Sequence, residues 1–146
     1  PVVSPPPDRP VPEEDDVELV IERKTAGGTG MVFGFIMGGR QATAMLDSYG
    51  GNPPRWGIDD VDVKNLRDGN PTNNPGLRLT LDQKKTVRIE VRRGGVRVFV
   101  EAEKVVDWQG RPEQLSTNFW NVEKKQSLFL GSQARFHVHK LTLTPR

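Results

Sequence analysis

The stretch TVRIEVRRGGVRVFVEAEKVVDW (86–108) decides the fold. Val87, Ile89 and Val91 alternate with Arg88, Glu90 and Arg92, and after Gly94-Gly95 the alternation resumes with Val96, Val98 and Val100. A period of two is the signature of a half-buried strand, and β-branched residues suit a pleated surface. The Gly-Gly pair supplies the backbone freedom of a tight turn, so the stretch reads as an antiparallel hairpin with one oily and one charged face. The oily face needs a second layer, which predicts an all-β, two-sheet antiparallel jelly-roll sandwich.

Other segments fit the same plan. VELVIER (17–23) alternates and predicts a first strand, and MVFGFIMGGR (31–40) is apolar on both parities, as in a central strand covered on both sides. It leads across Gly38-Gly39 into QATAMLDSYGG, a second hairpin. LRLTL (77–81), SLFLG (127–131) and ARFHVHKLTLTP (134–145) are further strand candidates. In the last of these, Phe136 and Val138 share one parity and Leu141 and Leu143 the other, so a β-bulge near His139-Lys140 would return both pairs to the core. DWQGRPEQLS (107–116) reads as a turn with room for one helical turn. The total is eight to ten strands and no long helix.

At 146 residues the chain suits one domain with its own core. The absence of cysteine excludes disulfides, a thiol nucleophile and thiolate metal sites. No apolar run approaches the roughly 20 residues of a membrane helix. Prolines at 1, 5, 6, 7, 10 and 12 predict an extended, acidic linker over 1–16 and a β-sandwich domain over 17–146, the whole being a piece of a longer protein. Residues 1–22 carry seven acids against Arg9, leaving the remainder at +8 while the chain as a whole is +2. The basic residues are scattered through alternating strands without a nucleic-acid motif, so no nucleic-acid partner is expected. GGNPPRWGIDDVDVKNLRDGNPTNNPG (50–76) is the longest irregular stretch of the domain, and such loops commonly bind something.

GGRQATAMLDSYGG, NPTNNPG before a strand, DWQGRPEQLS after the central hairpin and the closing VHKLTLTP together resemble the concanavalin A-like lectin/glucanase and laminin G group, nearest the bacterial branch related to 3-keto-disaccharide hydrolase domains. Val138, Leu141, Leu143 and Pro145 stand in that branch's closing-strand pattern, with Val138 where an aromatic is usual. The resemblance covers 17–146. It implies two curved sheets, a concave face on which relatives hold sugars, and an accessory role on secreted or surface proteins, hence an extracytoplasmic setting. The function it implies is noncatalytic carbohydrate or polyol binding. A glycoside-acting hydrolase and a laminin G-like protein-interaction domain are the alternatives.

A sugar site needs an aromatic face beside fork-shaped polar groups. Trp56 and Tyr49, with Arg40, Asp47 and Asn74, are the candidates; Trp120 is a further aromatic, and Trp108, ending a core strand, reads as core. On this reading, replacing Trp56 or Asp47 weakens glycan binding and leaves the melting temperature nearly unchanged. The same polar residues could instead only pin turns. Asp59, Asp60 and Asp62 are spaced as calcium-binding loop carboxylates often are, although no EF-hand pattern surrounds them; calcium is the one cofactor considered. Asp47 with Asp59 or Asp62 would be the carboxylate pair of a glycosidase, but the ExDxxE strand signature is absent. His137 and His139, two apart on one strand face, could share a metal but read more simply as exposed strand residues.

Overall fold

The computed structural model describes residues 2–3, 14–26, 29–49, 51–117 and 128–146. Among these, eleven strands form: β1 (Val2–Val3), β2 (Asp15–Arg23), β3 (Met31–Met37), β4 (Arg40–Ser48), β5 (Arg55–Asp59), β6 (Asn74–Pro75), β7 (Lys84–Arg92), β8 (Gly95–Val100), β9 (Glu103–Gln109), β10 (Phe129–Ser132) and β11 (Phe136–Pro145). A single 3-10 turn, Pro112–Gln114, follows β9. The strands make a six-stranded sheet, β1-β10-β3-β4-β5-β6, and a five-stranded sheet, β11-β2-β7-β8-β9, with every neighbouring pair antiparallel. The two sheets enclose one main core, and no helix is long and apolar enough to cross a membrane among the described residues.

The hairpin of 86–108 sits where its alternation requires. Val17, Ile89, Val98 and Val106 form one cross-strand row of the five-stranded sheet, and Val91, Val96 and Trp108 another, all buried on the inner face. From the six-stranded sheet Met31, Phe33, Phe35, Ala42, Ala44, Leu46, Trp56 and Ile58 complete the sandwich. The acidic β2 lies between β7 and β11 and answers their basic residues: Asp16 pairs with Arg92 at 2.7 Å and Arg146 at 2.6 Å, and Glu18 with Lys140 at 2.9 Å. Part of the charge asymmetry of the sequence is thus met beside one strand.

Several expectations are adjusted. β2 begins at Asp15, two residues before the anticipated boundary, and Val2–Val3 pair with β10, while residues 4–13 of the proline-rich segment lie outside the described residues. LRLTL (77–81) does not become a strand. Its backbone donors are diverted, since the N–H groups of Arg78 and Leu79 both donate to the Asp47 carboxylate, and only Leu81 makes an isolated bridge, to Arg23. The bulge in β11 is present between Val138 and Lys140, but it does not bury the apolar pairs. Val138, Leu141 and Leu143 remain 41%, 49% and 39% exposed, β11 being an edge strand with a neighbour on one side only.

Both faces of β3 and β4 are covered, as their composition predicts. The outer face of the six-stranded sheet carries a second apolar cluster, Val32, Met45, Leu66 and Phe129 with Tyr49 against it. Phe129, Gly34, Thr43 and Asp59 are in register across four strands. Gly34 is required there because a Cβ would overlap the Phe129 ring.

Candidate functional site at the outer face of the six-stranded sheet

The 60–73 segment is not an open loop but a flap tied onto β5. Asn70 Nδ2 donates to the Ile58 carbonyl at 2.7 Å and to the Lys64 carbonyl at 2.9 Å, the Thr72 hydroxyl donates to Asn70 Oδ1 at 2.6 Å, and Ile58 N–H donates to Thr72 Oγ1 at 2.8 Å. Leu66 drops into the space over Gly57. The side chains of NLRDGNPTN therefore replace the strand pairing that their composition denies them.

Under this flap lies an acidic centre. Asp59, buried at the end of β5, accepts the Leu66 N–H at 2.9 Å on Oδ1 and the Tyr49 hydroxyl on Oδ2. Burial pushes its pKa up to about 6, with the neighbouring Asp60 charge adding to the rise and the Tyr49 and Leu66 hydrogen bonds opposing it. Tyr49 is pushed upward as well, by burial first and then by its bond to Asp59. Arg67 stacks on the Tyr49 ring at 4.9 Å and donates to the Tyr49 carbonyl at 3.1 Å. Asp60 is fully buried, and neither of its carboxylate oxygens has a hydrogen-bond partner. Burial raises its pKa too. The Asp60 backbone exchanges hydrogen bonds with Ser116, whose hydroxyl oxygen is likewise buried and without a partner.

The five predicted ligand residues do not form one open surface. Trp56 is corrected from a stacking platform to a core residue: its side chain is 0% exposed and no face is left for a sugar ring. Asp47 is corrected likewise. A bulge in the β4–β5 pairing sets both Leu46 and Asp47 against Trp56, and Asp47 takes a positive φ of 51°. Its carboxylate is thereby turned inward, where it accepts Trp56 Nε1–H at 2.5 Å, Leu79 N–H at 2.6 Å and Arg78 N–H at 3.0 Å. Both oxygens are committed to structure, so Asp47 cannot serve the glycosidase pairing with Asp59 or Asp62 either. Asn74 ties β6 to β9 by donating to the Val105 carbonyl at 2.9 Å, and its Oδ1 accepts from Arg78 at 3.2 Å. Arg40 lies at the β3–β4 turn, 3.5 Å from the Glu113 carbonyl. Only Tyr49, of the five, reaches the acidic centre.

The Asp59, Asp60 and Asp62 carboxylates do not converge as they stand. Asp59 is held by Tyr49 and Leu66, and Asp62 is exposed and accepts Gln114 Nε2 at 3.2 Å. Trp108 is core, as its position at the end of a strand implied, and Trp120 lies outside the described residues. Arg67 and Ser116 were missed. Nothing in the sequence pairs Ser116 with Asp60, since that contact joins two loops 56 positions apart. A cavity of about 250 Å³ opens elsewhere, beside Gly94-Gly95 on the five-stranded sheet, lined by Glu90, Arg92, Arg97, Asp107, Trp108 and Gln109. Its charges are already paired, Arg97 with Asp107 at 3.3 Å and Arg92 with Asp16 at 2.7 Å.

The architecture is a two-sheet antiparallel β-sandwich. No family model matches the chain, and no curated protein matches it in sequence. Solved structures do match it in fold. Carbohydrate binding module CBM66 from Bacillus subtilis is 11% identical with a TM-score of 0.54, over 90% of this chain and 75% of that one. The Caenorhabditis elegans galectin LEC-6 is 12% identical with a TM-score of 0.55, over 98% of this chain and 95% of that one. Domain 4 of AbnA, a GH43 extracellular arabinanase from Geobacillus stearothermophilus, solved in complex with arabinotriose, is 13% identical with a TM-score of 0.54, over 99% of this chain and 66% of that one. At these identities the likeness is one of fold.

Proposed function

We propose that this domain is a noncatalytic carbohydrate- or polyol-binding module, and that it takes its ligand under the 60–73 flap around Tyr49, Asp59 and Asp60. The observation that carries the reading is the Asp60 carboxylate, buried beside Asp59 with no donor for either oxygen. An ionised carboxylate only accepts hydrogen bonds, and sealing it without partners is costly, so the fold holds acceptors for donors that it does not itself supply. Ligand hydroxyls are such donors. A calcium ion is the other species that would satisfy these oxygens. Asp62 and Val63, at the start of the flap, both sit at positive φ, and Val63, 82% exposed, is a β-branched residue in a region such residues avoid, a strain that opening of the flap would relieve. That three of the structural neighbours bear the names of a carbohydrate-binding module, a galectin and a domain complexed with arabinotriose supports the ligand class. The proline-rich composition around 5–12 supports an accessory role within a longer protein.

The test is a glycan-array screen followed by titration calorimetry, with and without calcium, on the parent, Asp60→Asn and Tyr49→Phe. Saturable binding that weakens in both variants supports the site, and a calcium requirement would make Asp60 a metal ligand. Binding lost in Arg97→Ala but kept in Asp60→Asn would move the site to the cavity beside Gly95. A blank array with folded protein would refute the reading and favour a protein partner of the laminin G kind. One observation favours a second reading, a hydrolase of the 3-keto-disaccharide type: burial raises the Asp59 pKa to about 6, which would suit an acid–base group once an opened flap freed its oxygens from Tyr49 and Leu66. A panel of native and 3-oxidised disaccharides that shows no turnover would eliminate it.

A further inference from the structure

The outer surface of the five-stranded sheet, on the opposite side of the molecule from the acidic centre, brings together Glu22, His137 and His139. Pairing of β2 with β11 puts Glu22 directly opposite His137. The β11 bulge falls between Val138, paired with Ile21, and Lys140, paired with Val20, so His139 is the extra residue and has no partner of its own in the ladder. The two imidazoles stack with ring centroids 4.1 Å apart and planes 22° from parallel. His139 Nε2 lies 2.9 Å from Glu22 Oε1. One donor atom from each of the three side chains falls within 4.8 Å of the other two, and among the described residues no other group of three histidine or carboxylate side chains meets that condition.

From this geometry we infer that Glu22, His137 and His139 form a surface site for a zinc-class divalent transition-metal ion. Ligands at about 2.0–2.1 Å from a tetrahedral ion stand roughly 3.3 Å from one another. The His139–Glu22 separation needs to open by only a few tenths of an ångström to reach that spacing. His137 lies on an exposed stretch of strand, with a ring nitrogen already within 4.8 Å of the other two donor atoms. Two imidazoles and one carboxylate leave a position for water, and nitrogen donors select zinc or copper over calcium or magnesium, which prefer all-oxygen shells. The surrounding shell is also built. Lys24 Nζ holds the other Glu22 oxygen at 2.8 Å and is itself 3.3 Å from Asp82, which fixes the carboxylate with Oε1 turned toward the histidines. Placement on two paired strands makes the triad more preorganised than the same residues on a loop.

These are the only two histidines in the chain, and it has no cysteine, so imidazole-mediated zinc binding has one address. Zinc chloride is titrated into the intact chain by calorimetry, and in parallel the imidazole resonances are followed by NMR. The expected result is saturable one-to-one binding, with both histidines perturbed and no response to magnesium chloride. His137→Ala, His139→Ala and Glu22→Gln should each weaken it at least ~10-fold. His137 and His139 are exposed, and metal-free melting curves of the variants would show that the fold is retained. Should His139→Ala disturb the bulge, His137→Ala alone decides, since its side chain adds no bond to the ladder. No saturation up to about 1 mM zinc, or an unchanged affinity in His137→Ala, overturns the inference.

Discussion

Replacing Asp47 by alanine should nearly unfold the domain, and the size of the effect follows from counting donors. Asp47 receives the indole N–H of Trp56 and the backbone N–H groups of Arg78 and Leu79. Alanine offers none of them an acceptor. A buried donor left unmet costs about 1–3 kcal/mol, and with Trp56 and Leu79 fully enclosed and Arg78 half-buried the loss is about 5 kcal/mol. The position also has φ of 51°, where alanine is disfavoured by about 1 kcal/mol more. About 6 kcal/mol is comparable to the whole stability of many domains. In urea unfolding followed by tryptophan fluorescence and far-ultraviolet circular dichroism, that corresponds to a midpoint lowered by about 2–4 M. Asp47→Asn keeps one acceptor oxygen and tolerates the positive φ, so it should lose about half as much, and Trp56→Phe, which removes one donor, about 1–2 kcal/mol. An Asp47→Ala protein within about 1 kcal/mol of the parent would refute the account and would revive Asp47 as a surface ligand residue.

Three further outcomes are expected. Asp15 and Asp59 both have folded-state pKa values raised to about 6, Asp15 by burial and then by the adjacent Asp16 charge. A folded form that holds its protons more tightly than the unfolded chain is most stable below pH 3.8, the usual aspartate value, and loses that stability as pH rises to about 6. The loss is about 3 kcal/mol for each residue, so Asp15→Asn and Asp59→Asn should flatten the pH profile of the urea midpoint between pH 4 and 6; profiles parallel to the parent would contradict it. Tyr49→Phe removes a hydrogen bond that lowers the Asp59 pKa, so carboxyl NMR should find Asp59 titrating above its parent value. Gly34→Ala should lower the unfolding free energy by about 2–3 kcal/mol, since the new methyl meets the buried Phe129 ring; a neutral effect by thermal melting would mean that the ring swings away freely.

The sheets were legible because alternation is a local property. Val87 to Val100 can be read in isolation, and so can the two-sided apolar run of β3. Trp56 was misread because its neighbours, Pro-Arg before and Gly-Ile-Asp after, carry loop composition, while its place in the core goes with a bulge at Leu46 and Asp47, nine to ten residues earlier, and with the bond of its indole to Asp47. Leu77 to Leu81 has strand-like alternation, yet its amides are claimed by a side chain, and no pattern in the segment announces that. The acidic centre was half visible: Asp59, Asp60 and Tyr49 stood out as chemical types, but the asymmetry among the carboxylates, one bonded, one orphaned and one exposed, is set by Leu66, Ser116 and Gln114, which meet them only after folding.

The two sheets end differently. The six-stranded sheet terminates in β1 and β6, each two residues long, whereas the five-stranded sheet terminates in β9, seven residues long, and in the longer β11, ten residues of extended backbone with nothing beyond it among the described residues. Half of the amide and carbonyl groups along that margin face outward as an unfilled template, alongside the exposed Val138, Leu141 and Leu143. Concentrated solutions, fusions and crystal lattices of this protein will therefore meet first along β11, and a proline or lysine introduced at its outward-facing positions is the economical remedy for unwanted association.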